Sequence, residues 1–187
     1  MTRIIAGRYR GRRLSVPKGR DVRPTTDRMR ERLFSILSHH KYPDMEGARV
    51  ADLFAGTGAL GLEALSRGAD HVCFVEMARP SLQIIRENVR SLEVEADIHI
   101  LPASATKLPA TDAPFDFIFM DPPYRKDLVL PALDALASNG WLKAGSVIVC
   151  ELASDEETEF PDTFEMLDDR TPGQQRIVIL CPANLSD

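Results

Sequence analysis

The chain has 187 residues, 44% of them hydrophobic, with 23 Lys and Arg against 28 Asp and Glu and a formal net charge of −5. A chain of this length buries one core, with room for a small accessory element. No apolar run approaches the roughly eighteen residues of a membrane span, which excludes a membrane-spanning helix.

The charge is unevenly spread. Residues 1–41 hold twelve Lys or Arg against three Asp or Glu, a balance of +9, and residues 42–187 carry −14. The first segment has no apolar h-region and contains Asp21, Asp27 and Glu31, so a targeting peptide is excluded. Arg3, Arg8, Arg10, Arg12, Arg13, Lys18, Arg20, Arg23, Arg28, Arg30 and Arg32, with Tyr9 among them, form the electrostatic footprint expected of a phosphate-backbone binder. The acidic remainder is not expected to bind nucleic acid by itself. The organisation expected is therefore a basic extension over residues 1–41 joined to a second unit over residues 42–187.

In chain order, Arg3 to Gly7 and Arg12 to Val16 predict a short hairpin turned at Tyr9-Arg10-Gly11. A helix capped by Thr25 or Thr26 then runs to Leu37, with Met29, Leu33, Phe34 and Leu37 on one face. His39 and His40 lie between that helix and Pro43, where a solvated helix end is expected rather than a catalytic role. From there strand and helix alternate, with strands at 49–54, 71–76, 97–101, 115–120, 146–151, 163–168 and 175–181 and helices near 59–67, 80–91 and 127–138. This pattern predicts an α/β fold with a mostly parallel seven-stranded sheet covered on both faces and an antiparallel hairpin at one edge. Cys73, Cys150 and Cys181 fall inside strands without metal-ligand spacing, so buried reduced thiols, no metal and a cytoplasmic protein are expected. The acidic run Asp155 to Glu159 reads as a solvated loop.

Two stretches carry chemistry. Val50-Ala51-Asp52-Leu53-Phe54 runs into Ala55-Gly56-Thr57-Gly58-Ala59-Leu60-Gly61, a strand, a glycine turn and a helix start. Gly56 and Gly58 permit positive φ and close approach of a ligand, and the helix start offers N–H groups. The string fits the dinucleotide pattern G-x-G-x-x-G, and Glu76 ends the next strand where a ribose-binding carboxylate is expected. The loop alone fits a nicotinamide dinucleotide and S-adenosylmethionine equally, since both carry an adenosine ribose. Asp52 favours the second, because it repels a pyrophosphate and suits an ammonium and a sulfonium. The expected donor-site residues here are Asp52, Phe54, Ala55, Gly56, Thr57, Gly58 and Glu76.

The second stretch is Asp121-Pro122-Pro123-Tyr124, directly after the apolar run Phe115-Asp116-Phe117-Ile118-Phe119-Met120. It stands where a buried strand ends at its open carboxyl edge. An isolated string of this kind also reads as a proline turn with a capping Asp. In catalysis it suits a flat group bearing an NH2, a poor nucleophile whose nitrogen must move from planar toward tetrahedral as it attacks a methyl. Asp121 and the Pro122 carbonyl would accept its two N–H bonds and Tyr124 would stack on its plane, while Pro123 stiffens the turn. Asp121 also borders the expected donor site.

Taken together, these residues resemble the bacterial 16S ribosomal RNA guanine-N2 methyltransferases, the RsmD family. The resemblance spans Arg3-Ile4-Ile5-Ala6-Gly7, Tyr9-Arg10-Gly11, Arg23-Pro24-Thr25, Arg30-Glu31, the run from Asp52 to Gly61, Glu76 and Asp121 to Tyr124. The glycine loop and the Asp-Pro-Pro-Tyr string are shared by many amino-group methyltransferases, and the N-terminal block narrows the choice. The resemblance implies a Rossmann-like class I methyltransferase fold and S-adenosylmethionine as donor. It further implies a guanine N2 of 16S rRNA as acceptor, on a largely assembled small (30S) subunit. Ser104 and Ala105 then border the cofactor adenine, in a stretch where many relatives place an acidic or amide residue. Arg8, Arg10, Arg12, Arg13 and Arg23 are expected to contact RNA, and a monomer is expected. Two alternatives remain: an amino-group methyltransferase for DNA adenine or protein glutamine, and an NAD-dependent oxidoreductase or non-catalytic RNA-binding module. Many enzymes of the first kind carry Asn in place of Asp121, and the second leaves Asp52 and the Asp121 string unexplained.

Overall fold

The computed structural model describes residues 2–17, 26–183 and 185. Lys18, Arg20, Arg23 and Thr25 lie outside the described residues, and with them the expected RNA contact of Arg23. The two short strands β1 (Thr2–Arg3) and β2 (Arg13–Leu14) pair antiparallel, and α1 spans Asp27–Leu37. Then follow β3 (Arg49–Leu53), α2 (Ala59–Ser66), β4 (His71–Glu76), α3 (Arg79–Leu92), β5 (Ile98–Pro102) and β6 (Phe115–Met120). The chain closes with α4 (Val129–Ser138), β7 (Leu142–Ala153), β8 (Phe164–Arg170) and β9 (Gln175–Pro182).

Seven of these strands form one sheet in the order β5-β4-β3-β6-β7-β9-β8. The first five run parallel, and β9 pairs antiparallel with both β7 and β8, so the expected edge hairpin is present. Because β4 and β5 build outward from one side of β3 and β6 and β7 from the other, the winding reverses between β3 and β6. At such a switch point the carboxyl ends of the strands open a crevice for ligands.

Both faces of the central strands are covered, which is why they read as continuous apolar runs. One layer joins Val50, Val72, Phe74, Phe117 and Phe119 to α1, α2 and α3, and the other joins Ala51, Leu53, Ile118, Met120 and Ile148 to α4 and Trp141. The predicted strand at 146–151 is longer, because β7 starts at Leu142. A bulge opposite Phe115 and Phe117 absorbs the extra residues, with Gly145 at φ +77° and Ser146 Oγ donating to the Phe115 carbonyl at 2.7 Å.

The N-terminal hairpin is shorter than expected, and the reason is tertiary. Ile5 and Ala6 donate their amides to the Glu63 carboxylate at 2.8 and 3.1 Å, and Tyr9 donates to Ser66 Oγ at 2.9 Å. Those amides therefore satisfy α2 instead of extending a ladder. Gly7, at φ +81°, lies so close to α2 that a Cβ there would come 1.7 Å from the Ser66 carbonyl oxygen. Ile4 and Leu14 share one core cluster with Met29, Leu33, Phe34 and residues of the sheet. Thr26 caps α1 by accepting from Met29 N at 3.3 Å.

One arginine of the expected phosphate-binding series is structural. Arg30 is fully buried, and its guanidinium donates to the Arg3 carbonyl at 2.6 Å and to Asp27 at 2.8 Å. Arg3 pairs with the same Asp27 at 3.5 Å. At helical i,i+3 spacing Asp27 and Arg30 meet on one side of α1, so Arg30 faces inward where the sequence shows only another basic residue. Cys73 and Cys150 are buried and reduced with their thiols pushed up to about 12 by burial, whereas Cys181 is only half-buried. Among the described residues no helix is long and apolar enough to cross a membrane.

Candidate active site

Four parallel strands, β3, β4, β6 and β7, deliver acidic residues to the crevice. Asp52, on β3, is only 1% exposed and accepts from Gly61 N at 2.9 Å. Burial pushes its carboxyl well above the usual carboxylate range, with the nearby charges of Asp121 and Glu76 acting in the same direction and the Gly61 amide opposing them. The chain then turns through Phe54 at φ +59°, unusual for a non-glycine residue, and through Gly56 and Gly58 at +57° and +76°. Left-handed backbone at three positions in five makes a tight strand-to-helix connection, in which Ala55 N donates to the Val75 carbonyl and Gly58 N to the Ala55 carbonyl.

Glu76, at the end of β4, is fixed by that loop. Its carboxylate accepts from Gly56 N at 2.9 Å and from Met77 N and Ala78 N at 2.8 Å each. Past β5, Ser104 and Thr106 share a hydroxyl hydrogen bond of 2.9 Å. After β6 come Asp121, half-exposed, and Pro122, buried, followed by Pro123 and Tyr124. The Tyr124 hydroxyl donates to Glu151 at 2.9 Å and accepts from Gln175 Nε2 at 3.3 Å, and Gln175 also donates to the same Glu151 oxygen. Burial, and then the Glu151 charge, push the Tyr124 hydroxyl above its ordinary pKa.

These groups border one cleft of about 470 Å³. It brings together the expected donor-site residues Asp52, Phe54, Ala55, Gly56, Thr57, Glu76, Ser104, Ala105 and Asp121 with the expected catalytic string Asp121, Pro122, Pro123 and Tyr124. Gly58 is the exception: it does not line the cleft. It caps α2 in left-handed conformation, and a Cβ added there would meet the Phe74 ring at 3.1 Å. Its observed contribution is to helix–sheet approach. Arg8, Arg10, Arg12 and Arg13 are exposed on the N-terminal hairpin and none lines the cleft. Arg8 lies over the Tyr9 ring, and Arg12 donates to the Ser91 carbonyl at the end of α3.

Glu151, Gln175, Met77, Thr106 and Leu128 also line the cleft and went unrecognised in the sequence. Glu151 had a signal, since it ends the apolar run Val147-Ile148-Val149-Cys150 as Asp121 ends its own. Gln175 had none, because it arrives through antiparallel pairing, with Gln175 opposite Ala153.

The donor set tests what the cleft can hold. Asp52, Glu76, Asp121 and Glu151 line it, and no Lys, Arg or His does among the described residues. A pyrophosphate finds no counter-charge there, whereas a ligand carrying positive charge finds up to four carboxylates. The volume lies in the range of small-molecule sites, roughly 300 to 1,000 Å³. Glu76 lines the same cleft, its carboxylate oriented by three backbone amides.

Comparison with known proteins agrees with this geometry. The family model described as Conserved hypothetical protein 95 matches residues 2–181. Ribosomal RNA small subunit methyltransferase D of Haemophilus influenzae is 35% identical over 91% of this chain and 89% of its own. The protein of the same name from Escherichia coli K12 is 40% identical over 80% of this chain and 73% of its own. The solved structure of yhhF from Escherichia coli superposes with a TM-score of 0.82 at 32% identity, covering 96% of this chain and 97% of that one. The fold is a Rossmann-like class I methyltransferase fold. The chain belongs to the Conserved hypothetical protein 95 family, the methyltransferase family that includes the small subunit methyltransferase D proteins.

Proposed function

We propose that this chain transfers a methyl group from S-adenosylmethionine to the exocyclic N2 of a guanine in 16S rRNA, within the small subunit or an assembly intermediate. The observation that carries the donor is the cleft of four carboxyl groups, without a cation among the described residues, beside a left-handed glycine turn. The acceptor class is supported by the relatives' names, which specify ribosomal RNA of the small subunit. The exposed Arg8, Arg10, Arg12 and Arg13, outside the cleft, supply positive surface for a phosphate backbone.

When bound, S-adenosylmethionine supplies an electrophilic methyl on a sulfonium. The residues around it bind, orient and balance charge. Glu76 accepts from the ribose hydroxyls, the Gly56 turn lets a ligand approach the backbone, and Ser104 and Ala105 border the adenine. Asp121 accepts one N–H of the guanine amino group and the Pro122 carbonyl the other, which turns the nitrogen lone pair out of conjugation and toward the methyl. As the N–C bond forms, the donor's S–C bond would break, leaving S-adenosylhomocysteine; the Asp121 carboxylate would stabilise the positive nitrogen, a contact that strengthens in the transition state, and the nitrogen's surplus proton would pass through half-exposed Asp121 to solvent. Tyr124 offers its face to the base, an interaction worth about 1 to 3 kcal/mol per base. Residues 1–41 act in this reading as an RNA-binding extension of a cytoplasmic monomeric enzyme.

The test is labelled methyl transfer to purified small subunits, naked rRNA and DNA, followed by nucleoside analysis. N2-methylguanosine in small-subunit RNA is the expected product. Label in N6-methyladenine or in protein glutamine overturns the acceptor and leaves the donor site standing.

A further inference from the structure

Resting on that methyl-transfer reading, we propose that Glu151 and Gln175 are positioning residues: together they tether the Tyr124 hydroxyl and hold its ring as a fixed wall for the acceptor base. The three side chains come from three separate stretches, the loop after β6, the end of β7 and the start of β9. They converge on one another at 2.9 and 3.3 Å, and all three line the cleft. Glu151 is only 7% exposed, and a carboxylate so enclosed needs donors. Tyr124 and Gln175 provide two, both to Oε1, and the Gln175 amide bridges that oxygen and the Tyr124 hydroxyl oxygen.

The loop that carries Tyr124 needs such an anchor. Arg125 and Asp127, just beyond it, have φ of +55° and +52°, left-handed conformations that non-glycine residues hold only where their surroundings impose them. Further along, the Arg125 amide donates to Glu156 at 3.4 Å and the Arg125 side chain pairs with Asp155 at 2.8 and 2.9 Å, with both side chains of that pair about two-thirds exposed. Exposed pairs of that kind are weak. The enclosed Tyr124–Glu151 bond, to an ionised acceptor, is the stronger class of contact. It acts at the ring itself, so it controls where a stacked base, and with it the amino nitrogen beside Asp121, comes to rest. A misplacement of that nitrogen lowers the reaction rate while leaving the donor site intact.

The test combines a spectroscopic and a kinetic arm. The chain has three tyrosines, so carbon-13 labelling of tyrosine, with Tyr124→Phe to assign the signal, isolates the Tyr124 ring. Glu151→Gln keeps shape and an acceptor oxygen but removes the charge, and is expected to move the Tyr124 Cζ resonance at neutral pH, where the hydroxyl keeps its proton. An unmoved resonance overturns the tether. In the kinetic arm, Glu151→Gln and Tyr124→Phe are each expected to reduce kcat/KM for small subunits by about tenfold to a hundredfold, the factor matching loss of a charge-assisted bond. S-adenosylhomocysteine affinity should stay within about twofold, and the double variant should be no worse than the poorer single one, as for residues acting as a unit. Losses that multiply in the double variant show Glu151 acting on its own and overturn the proposal. A parent enzyme that labels no guanine overturns the function itself, and this is distinguished by its appearing before any substitution is made.

Discussion

The cleft and the N-terminal arm are both built from charged residues, and they use charge in opposite ways. In the cleft, carboxylates from separate strands converge on one space without cations among the described residues, and backbone amides at Gly56, Met77 and Ala78 hold Glu76 in position. In the arm, a series of arginines that looks uniform in sequence divides by environment. Arg30 is buried in structure, Arg3 pairs with Asp27, and Arg8, Arg10, Arg12 and Arg13 face solvent. The difference teaches that a charge at the end of a buried strand has its place set by the sheet, whereas a charge in an extension has its role set by what the extension docks against.

The largest expected effect lies at the cleft. Asp121→Ala should reduce turnover on small subunits by about a hundredfold to a thousandfold, the cost of removing one preorganised group from a developing charge. Affinity for S-adenosylhomocysteine should stay nearly unchanged, because the contact matters chiefly in the transition state. Asp121→Asn should keep part of the activity, since its amide oxygen still accepts a hydrogen bond. A fully active Asp121→Ala enzyme would reduce the strand-end string to a proline turn and remove the contrast with the arm.

Next in size is a change of stability where the two regions join. Glu63 is fully buried and accepts from Ile5 N, Ala6 N and Arg67 Nε. Glu63→Ala leaves those donors facing an apolar void, and should destabilise the protein by about 3 to 5 kcal/mol, the cost of breaking a buried pair. Chemical denaturation measures this directly. A loss below about 1 kcal/mol would show that the arm undocks easily and folds independently of the sheet.

The same contrast explains what was legible in the sequence. Glu76 and Asp121 were recognisable because each ends a short apolar run, and Asp52 because it interrupts one just before the glycine turn; a parallel sheet brings such positions together whatever the rest of the chain does. The glycine turn was recognisable because a non-glycine residue is costly there, although the packing of Gly58 against Phe74 was not. Gln175 was hidden because its place depends on the register of an antiparallel hairpin, which a single chain does not display. Arg30 was hidden for a related reason: only the docking of α1 and β1 distinguishes an inward arginine from an outward one.

A smaller effect is expected at the donor site. Glu76→Ala removes the ribose acceptor and should weaken S-adenosylhomocysteine by about 1.5 to 3 kcal/mol, the range for hydrogen bonds to a charged group. It also leaves Gly56 N, Met77 N and Ala78 N without their carboxylate. Glu76→Gln is therefore the cleaner variant, since one side-chain oxygen still accepts. Calorimetry with both variants separates the ribose contact from the loop's own order. Unchanged affinity in both would remove Glu76 from the site.

The smallest expected effect on the fold, and the most specific for the arm, concerns its exposed arginines. Deleting the arm is a poor test, because Ile4 and Leu14 belong to the shared core and Glu63 would lose its amide donors. Replacing Arg10, Arg12 and Arg13 by Ala leaves those contacts in place. Exposed substitutions of this kind move stability by about 0.5 kcal/mol or less, with Arg12, which donates to the Ser91 carbonyl, the one to check alone. Binding to small subunits should weaken at low salt, and each lost phosphate contact should lower the magnitude of the salt slope of log K by about 0.7 to 0.9. Melting temperature and subunit binding across a salt series decide the matter together. A lowered melting temperature with an unchanged slope would make these arginines structural like Arg30, and would move the RNA surface away from the hairpin.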